Sequence, residues 1–170
     1  KGDQYKNYDA AKVFAEGKSK IEEKNKAFLA KAEEEKAKKL AEFAANQEKL
    51  VNDMKAGMQS TQSGLYYKIT KTTAGAAPTP GQTVAVHYAG KLINGEEFDN
   101  SFKRNAPIDI PIGVGQVIKG WDEGILLLKE GETATLLIPP ALGYGERGAG
   151  GVIPPNSWLV FDVELVSIQK

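Results

Sequence analysis

A carboxylate beside an aromatic ring, a tyrosine between two glycines, and a tryptophan in a glycine-spaced run are the groups with the most chemistry to offer. Phe98-Asp99 follows closely on Asn94-Gly95. Tyr144 stands in Gly143-Tyr144-Gly145, where the flanking glycines leave its phenol free to point into a cleft. Trp121 lies in Val117-Ile118-Lys119-Gly120-Trp121-Asp122-Glu123-Gly124. That stretch reads as the first turns of a short helix, with Val117, Ile118 and Trp121 on one face. Gly120 and Gly124 each cost a helix roughly 0.5–1 kcal/mol relative to Ala, so something must come close to that backbone. A Trp with room beside it can floor an apolar pocket. Taken singly, each residue also has a bland reading. Trp121, Tyr88 and Phe98 would be core, Asp99 a strand end, and Tyr144 a loop anchor.

Other chemistries lack support. The one histidine, His87, falls in mid-strand without carboxylate or cysteine neighbours at ligand spacing. There are no cysteines, so thiol catalysis and disulfides are excluded. No nucleophile elbow, phosphate-binding glycine loop or paired-His motif is present. Hydrolase, kinase and metalloenzyme readings therefore have no support, and no metal or cofactor is called for. Formal net charge is zero, which gives nucleic acid no electrostatic footing. No apolar run is long enough to span a membrane. The chain begins at Lys1, as a processed or truncated chain would, and the reading leaves periplasm and cytoplasm both open.

The elements that must position these groups divide near residue 57. Before it lies a Lys/Glu/Ala-rich segment without proline; from it onward come all eight prolines and sixteen of the eighteen glycines. Residues 1 to 7 are polar and expected to fray. Asp9 is placed to cap a short helix over 10–16 that Gly17 ends or kinks. Ser19 and Glu22 have capping-box spacing for a second helix, running to about Met54 and of order 50–55 Å long. Phe14, Ile21 and Phe28 repeat every seven residues, and Leu40, Phe43, Leu50, Val51, Met54 and Met58 follow in a different phase. Glu22–Lys26, Glu34–Lys38 and Glu35–Lys39 have favourable i,i+4 order. A spacer helix, a pairing helix for a second copy, and a helix packed back on the C-terminal part all remain open, as does an exit from an upstream domain.

The expected domains are 1–57 as a helical extension, 58–63 as a hinge, and 64–170 as the globular part. Strands are expected over 65–70, 83–92, 96–101, 132–138 and 158–168. Asn94-Gly95 signals a hairpin. Ile108, Ile110 and Ile112 alternate around Asp109 and Pro111, as in an edge strand. Pro139 to Pro155 forms a loop long enough to be functional. The class is α+β, antiparallel strands wrapped on one short late helix.

Six motifs in order carry a resemblance: His87-Tyr88-Ala89-Gly90, Phe98-Asp99-Asn100-Ser101, Val117-Ile118-Lys119-Gly120-Trp121, Gly143-Tyr144-Gly145, Ile153-Pro154-Pro155-Asn156, and Leu159-Val160-Phe161-Asp162-Val163-Glu164-Leu165. Residues 64–170 resemble the FKBP-type peptidyl-prolyl cis-trans isomerases. Ser63-Gly64-Leu65-Tyr66-Tyr67-Lys68 looks like the junction in bacterial members of the macrophage infectivity potentiator type, where a helical segment precedes this domain and mediates dimerisation.

The resemblance implies a half-barrel of antiparallel strands around the short helix, with a pocket between. Trp121 would be its floor, and Tyr88, Phe98, Val117, Ile118 and Phe161 its walls. Asp99 and Tyr144 would be polar groups at the rim, Tyr144 donating to a ligand carbonyl, with the Ile118 N–H as a second donor. Val152 and Ile153 would belong to a flap over the pocket. The implied catalytic set is Asp99, Tyr144, Trp121 and Phe161. The implied partners are proline-containing polypeptides and the macrolides tacrolimus and rapamycin. Ile108 and Ile110 depart from the aromatics of eukaryotic binding modules, and Ala149 and Gly150 soften the flap tip. A non-catalytic peptide-binding scaffold or holdase is the alternative, and chaperone action is compatible with either.

Overall fold

The computed structural model describes residues 9–170, so the expected fraying of residues 1–7 lies outside the described residues. The chain divides into two compact units, one up to Ala45 and the other from Asn46 to Lys170.

Among the described residues, the first unit is helical from Ala10 onward. Helix α1 runs unbroken over Ala10–Lys55, and its last turns enter the second unit. Asp9 caps it as expected, its Oδ1 accepting from the Lys12 N–H at 3.0 Å. The helix does not stop at Gly17, nor does Ser19 start a second one. A glycine keeps its backbone N–H and C=O, so the ladder continues at a cost of about 1 kcal/mol, which the good helix formers around it offset. Lys18 and Glu22 come within 4.0 Å. The Glu22–Lys26, Glu34–Lys38 and Glu35–Lys39 pairs are not closed among the described residues, as expected of exposed side chains with much rotamer entropy to lose. Phe14, Ile21 and Phe28 stand exposed.

The second unit is one antiparallel sheet curled on a short helix. Its strands are β1 (Gln59–Ser60), β2 (Tyr66–Lys71), β3 (Thr83–Leu92), β4 (Glu97–Asn100), β5 (Ile108–Pro111), β6 (Thr133–Ile138) and β7 (Leu159–Ile168). The order is β1-β2-β6-β7-β3-β4, and β5 also pairs with β3. Helix α2 (Ser101–Arg104) follows β4, and helix α3 (Lys119–Leu126) precedes β6. No described helix is long and apolar enough to cross a membrane.

Alternation decides which side chains meet. Leu136 and Ile138 of β6, with Leu159, Phe161 and Val163 of β7, point to the α3 side and join Trp121 and Ile125 in the main core. Leu137 and Val160 point the other way and pack with Val51 and Ile93, and with half-buried Leu50, Met58, Tyr66 and Trp158. That second cluster explains why the compact unit starts at Asn46. Leu50, Val51 and Met58, apolar at the end of the helical segment, cover the outer face of the sheet. Residues 58–63 are correspondingly not a free hinge. Gln59 and Ser60 pair with Tyr67 and Tyr66, and the Tyr67 hydroxyl donates to Gln59 Oε1 at 2.6 Å.

The two glycines of α3 meet the expectation of a close approach. A Cβ on Gly120 would lie 2.6 Å from Ile138 Cγ2, and one on Gly124 2.7 Å from Leu136 Cδ1. Their absence lets α3 press against β6 and lowers Trp121 into the sheet's concavity. The helix starts later than its sequence pattern suggests, at Lys119, with Val117 in the bend that approaches it and Ile118 at its N-cap. That approach is fixed by Asp122, whose Oδ1 and Oδ2 accept the Gly113 and Gly115 N–H groups at 2.8 and 2.7 Å. Both glycines are left-handed, at φ 77°, a conformation a side chain would strain.

Candidate active site

The aromatic residues converge on Trp121. Its indole packs edge-on to Tyr88 of β3 at 5.0 Å between centroids, and to Phe161 of β7 at 5.3 Å. Phe98 of β4 packs edge-on to Phe161 at 5.6 Å. These spacings are those of favourable T-shaped pairs. Trp121, Tyr88 and Phe161 are buried, so the rings are held from behind by the core. Between them and the α3 approach lies a cavity of about 330 Å³.

Eight of the ten residues expected from the sequence line that cavity: Tyr88, Phe98, Asp99, Val117, Ile118, Trp121, Tyr144 and Phe161. Val152 and Ile153 do not. Val152 is exposed at 56%, and Ile153 is 5% exposed in the main core. The loop turns back on itself there. The Ile153 N–H donates to the Ala149 carbonyl, and the Ala149 N–H to the Ile153 carbonyl, each at 3.0 Å. This small ladder drives Ile153 inward and leaves Val152 at the tip.

The structure adds Ile108, Gln116 and Arg104. Ile108 and Gln116 line the cavity. Ile108 lies on β5, whose alternation is legible, but alternation does not say which face meets a pocket. Arg104 ends α2, a single turn that no periodicity announces. The turn forms because the Asn100 side chain accepts the Lys103 N–H at 3.2 Å and Asn105 closes it in the left-handed region at φ 54°. It carries the Arg104 guanidinium back over the Tyr88 ring, 5.8 Å from its centroid.

Arg104, Asp99 and Tyr88 form one polar network at the rim. Asp99 accepts from Arg104, from the Tyr88 hydroxyl, and from the Asn100 N–H. Arg104 also donates to the Tyr88 oxygen at 3.1 Å. Burial raises the Asp99 carboxyl, but the hydrogen bonds from Tyr88, Arg104 and the Asn100 N–H outweigh it and hold the group below the usual carboxylate value. Burial, then the neighbouring Asp99, raises the Tyr88 phenol. Tyr144 is raised by burial and by the same negative charge. At neutral pH the rim therefore presents an ionised carboxylate and two protonated phenols.

Two donors at the cavity are unused. Neither the Tyr144 hydroxyl nor the Ile118 N–H makes a hydrogen bond among the described residues, although both residues line the cavity. Trp121 Nε1 is buried without a partner. His87 is occupied structurally: its Nδ1 lies 2.9 Å from Ser101 Oγ, and its ring stacks on Phe102 at 4.8 Å.

Comparison with known proteins follows the same lines. The family model described as FKBP-type peptidyl-prolyl cis-trans isomerase matches residues 74–166. FK506-binding protein 1 of Dictyostelium discoideum is 54% identical over 106 residues, 62% of this chain and 99% of that protein. A probable FKBP-type peptidyl-prolyl cis-trans isomerase of Haemophilus influenzae is 44% identical over 159 residues, 94% of this chain. The chain spans 60% of the length of that relative. The crystal structure of FkpA from Escherichia coli superposes with a TM-score of 0.71 at 38% identity, covering 88% of this chain and 71% of that one.

Proposed function

The chain belongs to the FKBP-type peptidyl-prolyl cis-trans isomerase family, and on that footing we propose that the Trp121 pocket accelerates rotation about X-Pro bonds in polypeptides. The observation that carries the reading is an apolar, aromatic-walled cavity with two unused donors, the Tyr144 hydroxyl and the Ile118 N–H.

Rotation about an X-Pro bond faces a barrier of about 18–20 kcal/mol, set by amide resonance, and takes tens to hundreds of seconds unaided. No bond is made or broken, so positioning and environment are the available means. The prolyl ring packs on the Trp121 face, between Tyr88, Phe98 and Phe161, and is held while the preceding carbonyl turns. The twisted amide has lost resonance and carries less charge separation than the planar one. Moving it from water into the cavity therefore costs it less, and the difference lowers the barrier. Tyr144 and Ile118 donate to substrate carbonyls and fix which side of the bond moves. Asp99, tied to Tyr88 and Arg104, holds a negative field across the rotating carbonyl. Val152, at the loop tip, is free to touch a longer peptide.

The test is the cis-to-trans rate of a short X-Pro peptide in the presence of the protein, with and without rapamycin. Acceleration that rapamycin abolishes is expected, since the macrolide would fill the same cavity. No acceleration by the folded protein would reassign the chain as a peptide-binding module without turnover.

Helix α1 supports a second reading, independent of catalysis. Phe14 is 76% exposed and Phe28 73%, at heptad spacing with Ile21 between. Such a row suits pairing with a second copy of the chain. Light scattering should give a dimer mass for the whole chain and a monomer mass for the double substitution Phe14→Lys, Phe28→Lys; a monomeric parent chain would dispose of the idea.

A further inference from the structure

Gln47 lies far from the pocket in sequence, yet it joins the end of α1 to the segment that presents Tyr144. It is 5% exposed and shares a helix face with Val51, four residues on, in the cluster on the outer face of the sheet. Its carboxamide is used at both ends. Nε2 donates to the Asn156 carbonyl at 3.0 Å, and Oε1 accepts the Trp158 N–H at 2.8 Å. A carboxamide carries a donor and an acceptor side by side, so it can bridge a C=O and an N–H two residues apart, which a carboxylate or an ammonium group cannot do. The bridge continues inward. Asn156 is held in the left-handed region at φ 56°, and its own N–H donates to the Gly145 carbonyl at 2.8 Å. Gly145 is the residue after Tyr144. Elsewhere in the loop, internal ties include the small ladder at Ala149–Ile153 and the Ser157 hydroxyl donating to the Pro154 carbonyl at 2.7 Å. These ties fix the loop to itself, whereas Gln47 fixes it to a helix.

We propose that Gln47 is a positioning residue for the isomerisation: through Asn156 it anchors the loop so that the Tyr144 phenol is held at the cavity. This rests on the reading of the cavity as the isomerase site. It follows that docking of the last turns of α1 sets the order of the catalytic loop, although no residue of α1 lines the pocket.

The experiment compares the full chain with Gln47→Met, which keeps the length and apolar contact of the side chain and removes both hydrogen bonds. Three readouts are taken: amide hydrogen exchange across residues 144–158, the Tyr144 ring resonances, and kcat/KM for an X-Pro peptide. Exchange at Asn156 and Trp158 should speed up, and the Tyr144 ring signals should shift while those of Phe98 hold. kcat/KM should fall about two- to tenfold, the scale of lost buried hydrogen bonds. In a Tyr144→Phe background, Gln47→Met should lower kcat/KM no further, because the group it positions is gone. Unchanged exchange, or an equal fall in both backgrounds, would overturn the proposal. Should Gln47→Met fail to fold, Gln47→Leu also keeps an apolar side chain beside Val51 and removes both hydrogen bonds; the same loop pattern is expected of it. Absence of turnover in the parent chain would sink the isomerase reading instead, and the exchange and ring signals would still decide whether Gln47 holds the loop.

Discussion

Replacing Trp121 with leucine is expected to lower kcat/KM for an X-Pro peptide by about ten- to a hundredfold while leaving a folded protein. The magnitude follows from what the indole offers. Burying a ring of prolyl size against an apolar floor is worth about 1.5–3 kcal/mol, and each 1.4 kcal/mol is tenfold in rate if the contact is stronger in the twisted state. Leucine is chosen over alanine because Trp121 is 5% exposed and closes one wall of the main core. Alanine there would leave a void costing about 3–5 kcal/mol, and loss of activity could then be loss of fold. Leucine fills part of the space, and its own nonpolar side chain removes the unpaired buried Nε1 N–H. It cannot offer a flat face, nor the edge-on contacts to Tyr88 and Phe161. The kinetics should be read beside a urea unfolding curve. A variant that retains its native midpoint and full turnover would remove Trp121 from the mechanism and with it the assignment of the pocket.

Gly90→Ala should produce the second large effect, through a single methyl group. Gly90 lies in β3, paired with Asp99 on one side and Phe161 on the other. A Cβ there would stand 2.7 Å from Phe161 Cε1 and 2.8 Å from Phe98 Cε2 and Cζ. These are the two rings that meet edge-on in the pocket wall. The strand yields little, because it is laddered to β7 and to β4, the latter shifting register just after Gly90, so the rings must move. Overpacking of this kind costs about 1–3 kcal/mol, read as a lower urea midpoint, and the displaced rings should narrow the cavity and raise KM. Gly17→Ala is the control. A Cβ at Gly17 meets nothing, and this helical position gains roughly 0.5–1 kcal/mol of local stability from the change. Equal behaviour of the two variants, with turnover intact in both, would mean that the Phe98–Phe161 pair does not shape the site.

Both results concern features that the sequence displays unequally. Trp121 and its two glycines are visible in one short run, and the cost of glycine in a helix already implies a close neighbour. Which neighbour is a tertiary matter: Ile138 and Leu136 belong to a strand that follows α3, and only the curl of the sheet brings them under Gly120 and Gly124. Gly90 shows nothing locally, since the rings that need its space come from β4 and β7. The polar rim divides in the same way. Asp99 and Tyr144 are marked by the motifs they stand in, but Arg104 depends on a one-turn helix stabilised by Asn100 and Asn105, too short to leave a period.

The long helix is the clearest case of pattern without boundary. Charge, alanine content and the lack of proline determine that residues 10 to 55 are helical, because those are local propensities. A lone glycine and a well-spaced Ser19–Glu22 suggest a break that does not occur, since intact backbone hydrogen bonding outweighs one poor residue. The end of its solvated part is not local either. It is set where Gln47 and Val51 find the outer face of the sheet, more than a hundred residues away in the case of Asn156 and Trp158. The flap residues show the converse. Val152 and Ile153 are adjacent in sequence and were expected to act together, but a two-residue ladder to Ala149 turns one into the core and the other outward. The sequence by itself thus determined most of the strands, the long helix and α3, and most of the aromatic set. Those rest on side-chain type and on periods of two and 3.6 residues. The tertiary structure decided which faces meet, which donors stay unpaired, and which residues hold the loop. Those outcomes depend on packing between segments whose separation along the chain carries no local signal.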